Sequence, residues 1–149
     1  PVVVDPKKKN FLAYQGVTLF KPNAKELREG LSVTANELNE IEAAVTKLQK
    51  MLLCDMVMTT MSDKGVIIKG KDPDFHHIPA HQRDIKDVSG AGDTVLSVAA
   101  LCVVANESPF NIAAISNIAG GLVCEKTGVV PIDRDMLLSE VKNIYAQNA

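Results

Sequence analysis

The segment Asp87-Val88-Ser89-Gly90-Ala91-Gly92-Asp93-Thr94 constrains this chain more than any other. It precedes an apolar run from Val95 to Ala105. That run is too rich in alanine for a good strand and long enough for a helix. Gly90 and Gly92 therefore fall where a helix begins. A helix start offers unpaired backbone N–H groups and the positive end of a dipole, which together form an anion site. Glycines, having no side chain, let a phosphate come close to that backbone. Asp93 then needs a reason. A carboxylate beside a phosphate repels it, unless its task is to take a proton from whatever attacks the phosphate. Taken alone, the segment equally suits a tight turn followed by an acid that complements the dipole. It is not a Walker A loop, because no Gly-Lys-Ser/Thr follows. It is not the dinucleotide fingerprint either, because Val95 stands where the third glycine belongs.

The rest of the chain supplies an α/β frame for that helix. Val2-Val3-Val4 and Val17-Thr18-Leu19-Phe20 read as buried strands. Pro22-Asn23 ends the second, and Asn23 is a good N-cap for a short helix from Ala24 to about Arg28. Thr34-Ala35-Asn36-Glu37 has the capping-box pattern. It is expected to open a helix whose apolar stripe is Leu38, Ile41, Val45, Leu48 and Leu52. Met56 to Thr60 and Val66 to Ile68 read as strands joined by a turn through Asp63-Lys64-Gly65. Lys71 to Gln82, rich in His, Pro and Asp, reads as a loop. Helices are expected over about 92–105, 110–125 and 134–146. Strands alternating with helices early, and helices dominating late, indicate one α/β domain with a mainly parallel sheet flanked by helices.

The formal net charge of −2 gives no basic surface for nucleic acid, and no apolar run is long enough to span a bilayer. Nucleic-acid and membrane partners are not expected. Cys54, Cys102 and Cys124 are odd in number and lack metal-site spacing, so they read as buried thiols in a reducing cytoplasm. His76, His77 and His81 lack the frame of a zinc site and read as polar surface residues. Pro1 is followed at once by a buried-strand pattern, so the chain is expected to be part of a longer one.

Asp87 to Thr94, followed by small and apolar residues, resembles the C-terminal signature of the ribokinase-like (PfkB) carbohydrate kinases. Three further segments match in the family's order. Lys21-Pro22-Asn23-Ala24-Lys25-Glu26 resembles its P-N-x-x-E segment. Thr60-Met61-Ser62-Asp63-Lys64-Gly65 resembles its T-x-G-x-x-G segment, with Ser62 where most members have glycine. Asn117 to Gly128 resembles its adenine-side helix. Ser62, Val3-Val4-Asp5-Pro6-Lys7 and the Lys-x-Gly ending at Gly128 resemble the heptose-7-phosphate kinase branch, the kinase module of bifunctional ADP-heptose synthesis proteins.

The resemblance implies the C-terminal, nucleotide-binding half of a ribokinase-like fold over residues 1–149, with the sugar-binding half absent. It implies transfer of the γ-phosphate of ATP to a sugar hydroxyl, at C1 of a heptose 7-phosphate if the branch is right. Asp93 would be the base, and Gly90, Ala91 and Gly92 would form the anion hole. Asn23 and Glu26 would help hold Mg²⁺; the bland alternative for that pair is a cap with a first-turn acid. Thr60, Ser62 and Gly65 would border the phosphates and ribose, or serve only the turn. Asn117, Gly121 and Lys126 would line the adenine pocket, or serve helix packing. Asp87 and Ser89 match positions where some members bind a monovalent cation such as K⁺, or make a turn. A homo-oligomer and a fused nucleotidyltransferase domain are implied for the whole protein, and the isolated chain is expected to be inactive. A kinase for ribose, fructose phosphate or a nucleoside, and a nucleotide-binding module without chemistry, stay open.

Overall fold

The computed structural model describes residues 1–147. Five strands, β1 (Val3–Val4), β2 (Leu19–Phe20), β3 (Met56–Thr60), β4 (Val66–Lys69) and β5 (Phe75–Ile78), form one sheet in sequence order. β1, β2 and β3 run parallel, while β4 and β5 each pair antiparallel with the strand before. The expected α/β sheet is thus present, with its parallel character confined to the first three strands. The reason is connection length. Only five residues separate β3 from β4, too few for the crossover that parallel neighbours need.

Five helices cover the sheet: α1 (Ala24–Leu31), α2 (Leu38–Leu52), α3 (Ala91–Val104), α4 (Pro109–Cys124) and α5 (Arg134–Gln147). Side chains of a strand alternate between faces, and the two cores divide along that alternation. Phe20, Val57 and Ile67 join α1 and α2, including the fully buried Leu27, Val45 and Leu48. Leu19, Met58, Val66 and Ile68 join α3 and α4 through Val98, Ala99, Ile112 and Ala113.

Two local expectations are corrected. Thr34 does not open α2. Glu37 is its N-cap, and Glu40 closes a reciprocal box by accepting from the Glu37 and Asn36 amides. Those two amides also hold the Glu40 carboxyl below its ordinary pKa. Ala35 is buried and turned to positive φ, so the chain is still folding back there and cannot begin a helix. The stretch expected as a loop contains β5. Phe-His-His-Ile has no clean alternation, yet Ile78 is buried, Lys69 Nζ lies 5.0 Å from the Phe75 ring centroid, and His77 Nε2 sits 2.8 Å from the Lys64 carbonyl. Pairing with β4 outweighs local composition.

Gly65 closes the β3–β4 turn at φ +85°, and a Cβ there would run into the Ile78 carbonyl oxygen. Gly65→Ala should therefore cost at least about 2 kcal/mol, from backbone strain plus overpacking. A denaturant midpoint matching that of the unsubstituted chain would show that the turn is not held as described.

Candidate active site

The C-terminal ends of the three parallel strands open into one cleft of about 860 Å³. Ligands of open α/β sheets gather at that end of the strands. Asp5 follows β1, Lys21 to Glu26 follow β2, and Thr60 and Ser62 end or follow β3; Asp5, Lys21, Asn23, Glu26, Thr60 and Ser62 line the cleft. The first turn of α3 and one side of α4 form the facing wall.

Gly90 is the N-cap of α3, in left-handed backbone at φ +77°, where a Cβ would come within 2.9 Å of Val129. Only glycine suits both demands. The first return bond of the helix runs from the Thr94 amide to the Gly90 carbonyl at 3.0 Å. The amides of Gly92 and Asp93 precede it, so they point out of the helix end with no intrahelical acceptor. A Cβ on Gly92 would meet nothing within 4 Å. Gly92 is thus needed by no protein contact, and the space above it belongs to the cleft. Asp93 is exposed in the same turn, and its carbonyl accepts from Ser97 Oγ at 2.8 Å.

Asn23 and Glu26 realise the bland alternative and keep the chemical one. Asn23 Oδ1 accepts from the Glu26 amide, and Glu26 Oε2 accepts from the Asn23 amide, both at 2.8 Å. This box fixes the Glu26 carboxylate at the cleft wall while using one of its two oxygens. One carboxylate beside one amide suits Mg²⁺, which keeps most of its waters. Thr60 is held beside Asn23 by a bond from its amide to the Pro22 carbonyl at 3.3 Å. Ser62 sits at φ +53°, a left-handed conformation that explains why glycine suits this position.

Asn117 Nδ2 donates to the Pro79 carbonyl at 2.9 Å, tying α4 to the loop after β5. Gly120 packs where a Cβ would meet Val95 at 2.6 Å, which lets α3 and α4 approach closely. Asn117 and Gly121 both line the cleft. Three expected residues lie outside its lining. Lys126 follows α4, with Nζ 4.0 Å from Met136 Sδ on α5. Asp87 Oδ1 accepts from the Ser89 amide and Oδ2 from the Gly128 amide, each at 2.9 Å. Asp87 therefore staples the loop before α3 to the loop after α4.

Sequence reasoning gave no role to two cationic residues of the cleft. Lys21 is only 2% exposed, with Nζ 3.5 Å from Asp5 Oδ1; the other Asp5 oxygen lies 3.6 Å from Lys7 Nζ. Asp5-Pro6-Lys7 and Lys21-Pro22-Asn23 carried the signal, since each places a charge directly after a strand. Arg83 lies on the loop after β5 with its side chain 7% exposed. Nothing in the sequence around it marked that burial. The three cysteines are free and buried, and burial pushes the Cys54 thiol up to about 11. Among the described residues, no group of three or more His, Cys, Asp or Glu could hold a metal ion, and no helix is long and apolar enough to cross a membrane.

Strand order, helix placement and this cleft together define a ribokinase-like fold. The chain belongs to the pfkB family of carbohydrate kinases, whose model matches residues 1–134. It is 41% identical over 128 residues to the bifunctional protein HldE of Mesorhizobium japonicum, covering 86% of this chain and 26% of that protein. It is 34% identical over 142 residues to HldE of Rhodospirillum rubrum, covering 95% of this chain and 28% of that protein. The chain thus spans less than a third of the length of these curated relatives. Among solved structures it is similar to phosphofructokinase-2 from Escherichia coli in complex with substrates and products, with a TM-score of 0.79 at 18% identity over 86% of this chain and 41% of that one. It is also similar to Arabidopsis thaliana ribokinase complexed with ribose and ATP, with a TM-score of 0.76 at 22% identity over 84% of this chain and 41% of that one. Both likenesses concern the fold.

The Asp87 staple has a pH signature. The Ser89 bonds, then the Gly128 amide, hold its carboxyl below the ordinary carboxylate pKa. A lowered folded value means stabilisation that is present above the unfolded pKa of about 3.9 and lost as pH falls through the folded one. The Ser89 and Gly128 amide resonances should therefore hold steady down to about pH 4 and move below it. Movement centred well above that range would show that the staple is not made.

Proposed function

We propose that this chain is the nucleotide-binding part of an ATP-dependent sugar kinase, acting on C1 of D-glycero-D-manno-heptose 7-phosphate in ADP-heptose synthesis for the lipopolysaccharide core. One observation carries the kinase assignment. A helix N-terminus bare of side chains, an exposed carboxylate in its first turn, and a buried lysine with a metal-competent Asn–Glu pair all line one cleft. The heptose assignment rests on the relatives named HldE and on the segments Val3 to Lys7 and Ser62.

In this proposal the amides of Gly92 and Asp93 receive charge on the transferring phosphoryl group. Asp93 takes the proton of the sugar hydroxyl as its oxygen bonds to the γ-phosphorus and ADP departs. Mg²⁺ supplies neutralisation of phosphate charge when bound, and Asn23 and Glu26 would hold it through water. Lys21 adds positive charge held in place by its pairing with Asp5. Thr60, Ser62 and Gly65 border the phosphates and ribose. Asn117 and Gly121 border the base, with Lys126 at its outer margin.

Asp87 and Ser89 would contribute to a K⁺ site at the base of α3. A solved structure of phosphofructokinase-2 from Escherichia coli in complex with potassium supports a monovalent cation in this fold. The chain covers only 26% and 28% of the two relatives named HldE, which supports a reading in which the sugar-binding residues lie elsewhere in the whole protein. On that reading the chain alone would bind nucleotide weakly and transfer nothing. The word bifunctional in the relatives' name supports fusion to a second, nucleotidyltransferase domain. In this reading the whole protein works in the cytoplasm as a homo-oligomer. The limited coverage of those relatives keeps a second reading in view, a nucleotide-binding module without chemistry.

Asp93→Asn in the complete kinase should lower kcat by roughly 10²–10⁴-fold, the range for loss of a general base, with ATP affinity little changed. Wild-type turnover by that variant would remove Asp93 from the mechanism. Gly92→Val should leave the fold intact, since its Cβ enters open space, and should weaken ATP binding. Unchanged affinity in calorimetry on the folded variant would place the phosphate elsewhere.

A further inference from the structure

Among the described lysines and arginines that line the cleft, Lys7 alone keeps its head in solvent. The side chains of Lys21 and Arg83 are 3% and 7% exposed, each facing a carboxylate, whereas that of Lys7 is 78% exposed. Lys7 Nζ lies 3.6 Å from Asp5 Oδ2, and Lys21 Nζ lies 3.5 Å from Oδ1 of the same carboxylate. Two cations thus share one anion, and the trio carries net positive charge. The two pairings are not equivalent. Without Asp5, Lys21 would be a buried charge with no counter-charge, which is costly. The Lys7 pair is exposed, and such pairs contribute little. Lys7 can therefore leave Asp5 without stranding a charge.

The root of Lys7 is as fixed as its head is free. Pro6 before it is buried. Lys7 is the N-cap of a 3₁₀ turn over Lys8–Asn10, and its carbonyl accepts from the Asn10 amide at 3.1 Å. Phe11 anchors that turn, buried edge-on against Phe20 of β2 with ring centroids 5.3 Å apart. The fold thus delivers a lysine to the C-terminal end of β1 and gives its ammonium no buried task. An ammonium so placed suits a phosphate, which lysine receives as a point charge.

Position decides which phosphate. β1 is the edge strand opposite β5, so its end lies across β2, β3 and β4 from the loop after β5. The nucleotide reading places the base near that loop and α4, and the γ-phosphate at the first turn of α3. The β1 end is the side beyond the γ-phosphate, where the acceptor enters, and the acceptor proposed above already carries a phosphate. We infer that Lys7 is a specificity-determining residue, its ammonium passing from Asp5 to the phosphate borne by the acceptor sugar. The inference rests on the heptose 7-phosphate reading of the site. Asp5 stays with Lys21, and Lys7 acts alongside the sugar-binding residues that this reading places elsewhere in the whole protein.

The test uses the complete kinase. Lys7→Met removes the charge and keeps most of the stem. At saturating Mg²⁺–ATP, KM for heptose 7-phosphate should rise by roughly ten- to a hundredfold, the scale of a hydrogen bond between charged groups, with kcat little changed. KM for ATP and the Tm should stay as they were, and Lys7→Arg should restore most of the acceptor affinity. The same heptose without its phosphate, followed as acceptor or as competitive inhibitor, should bind the Lys7→Met and unsubstituted enzymes equally. A KM for ATP raised as much as that for heptose 7-phosphate, or more, would give Lys7 to the nucleotide's phosphates and overturn the proposal. So would equal losses for the phosphorylated and free sugars, or no loss for either. Absence of heptose 7-phosphate turnover by the unsubstituted kinase would instead overturn the substrate reading, and this inference with it.

Discussion

Everything at the cleft depends on burying both faces of one small sheet. The strands β2, β3 and β4 are apolar on both sides, so helices must cover each face. α1 and α2 take one side and α3 and α4 the other. Once they do, the chain leaving each parallel strand emerges at the same edge, between the helix layers. Asp5, Lys21 and Thr60 meet there because each follows or closes a strand. The start of α3 meets them because α3 packs through Val95, Val98 and Ala99, which sets its first turn against the strand ends. The chemistry of the cleft is thus a by-product of core packing, sharpened by a few polar ties.

Those ties are local and inexpensive. The Asn23–Glu26 box starts α1 and orients a carboxylate in one move. Asn117 joins α4 to the loop after β5. Asp87 joins the loop before α3 to the loop after α4. Each satisfies backbone groups that helix ends and turns would otherwise leave unpaired. Each also fixes a stretch of cleft wall or the root of the α3 turn, so positioning of the site and satisfaction of the backbone are the same interactions.

The sequence made the frame legible where periodicity was strong. Ile41, Val45, Leu48 and Leu52 are buried as the stripe predicts, with Leu38 exposed at its start, and the Ala-rich run after Asp93 is helical. The first two strands form within their expected segments but are shorter, β1 is only half-buried, and Val2 is exposed. The Gly90 to Asp93 turn was legible as a helix start from the apolar run that follows it, while its glycines taken alone suited a tight turn equally well. What stayed hidden depended on contacts distant in sequence. β5 forms because β4 offers it an edge, which Phe-His-His-Ile does not advertise. Glu37 caps α2 in place of Thr34 because buried Ala35 turns the chain between them. Arg83 is buried by Glu125 and Glu140, 42 and 57 residues further on, a partnership that no local pattern reveals.

The central claim is that the bare N-terminus of α3 receives the phosphates of a nucleotide, with the base lying along α4. An amide NMR titration of the chain with Mg²⁺–ATP tests it most directly. The account predicts saturable shifts concentrated at Gly90, Ala91, Gly92 and Asp93, with a second group at Asn117 and Gly121, and little change across α2. Saturable binding whose shifts map to the α1–α2 face, leaving the α3 turn untouched, would contradict it.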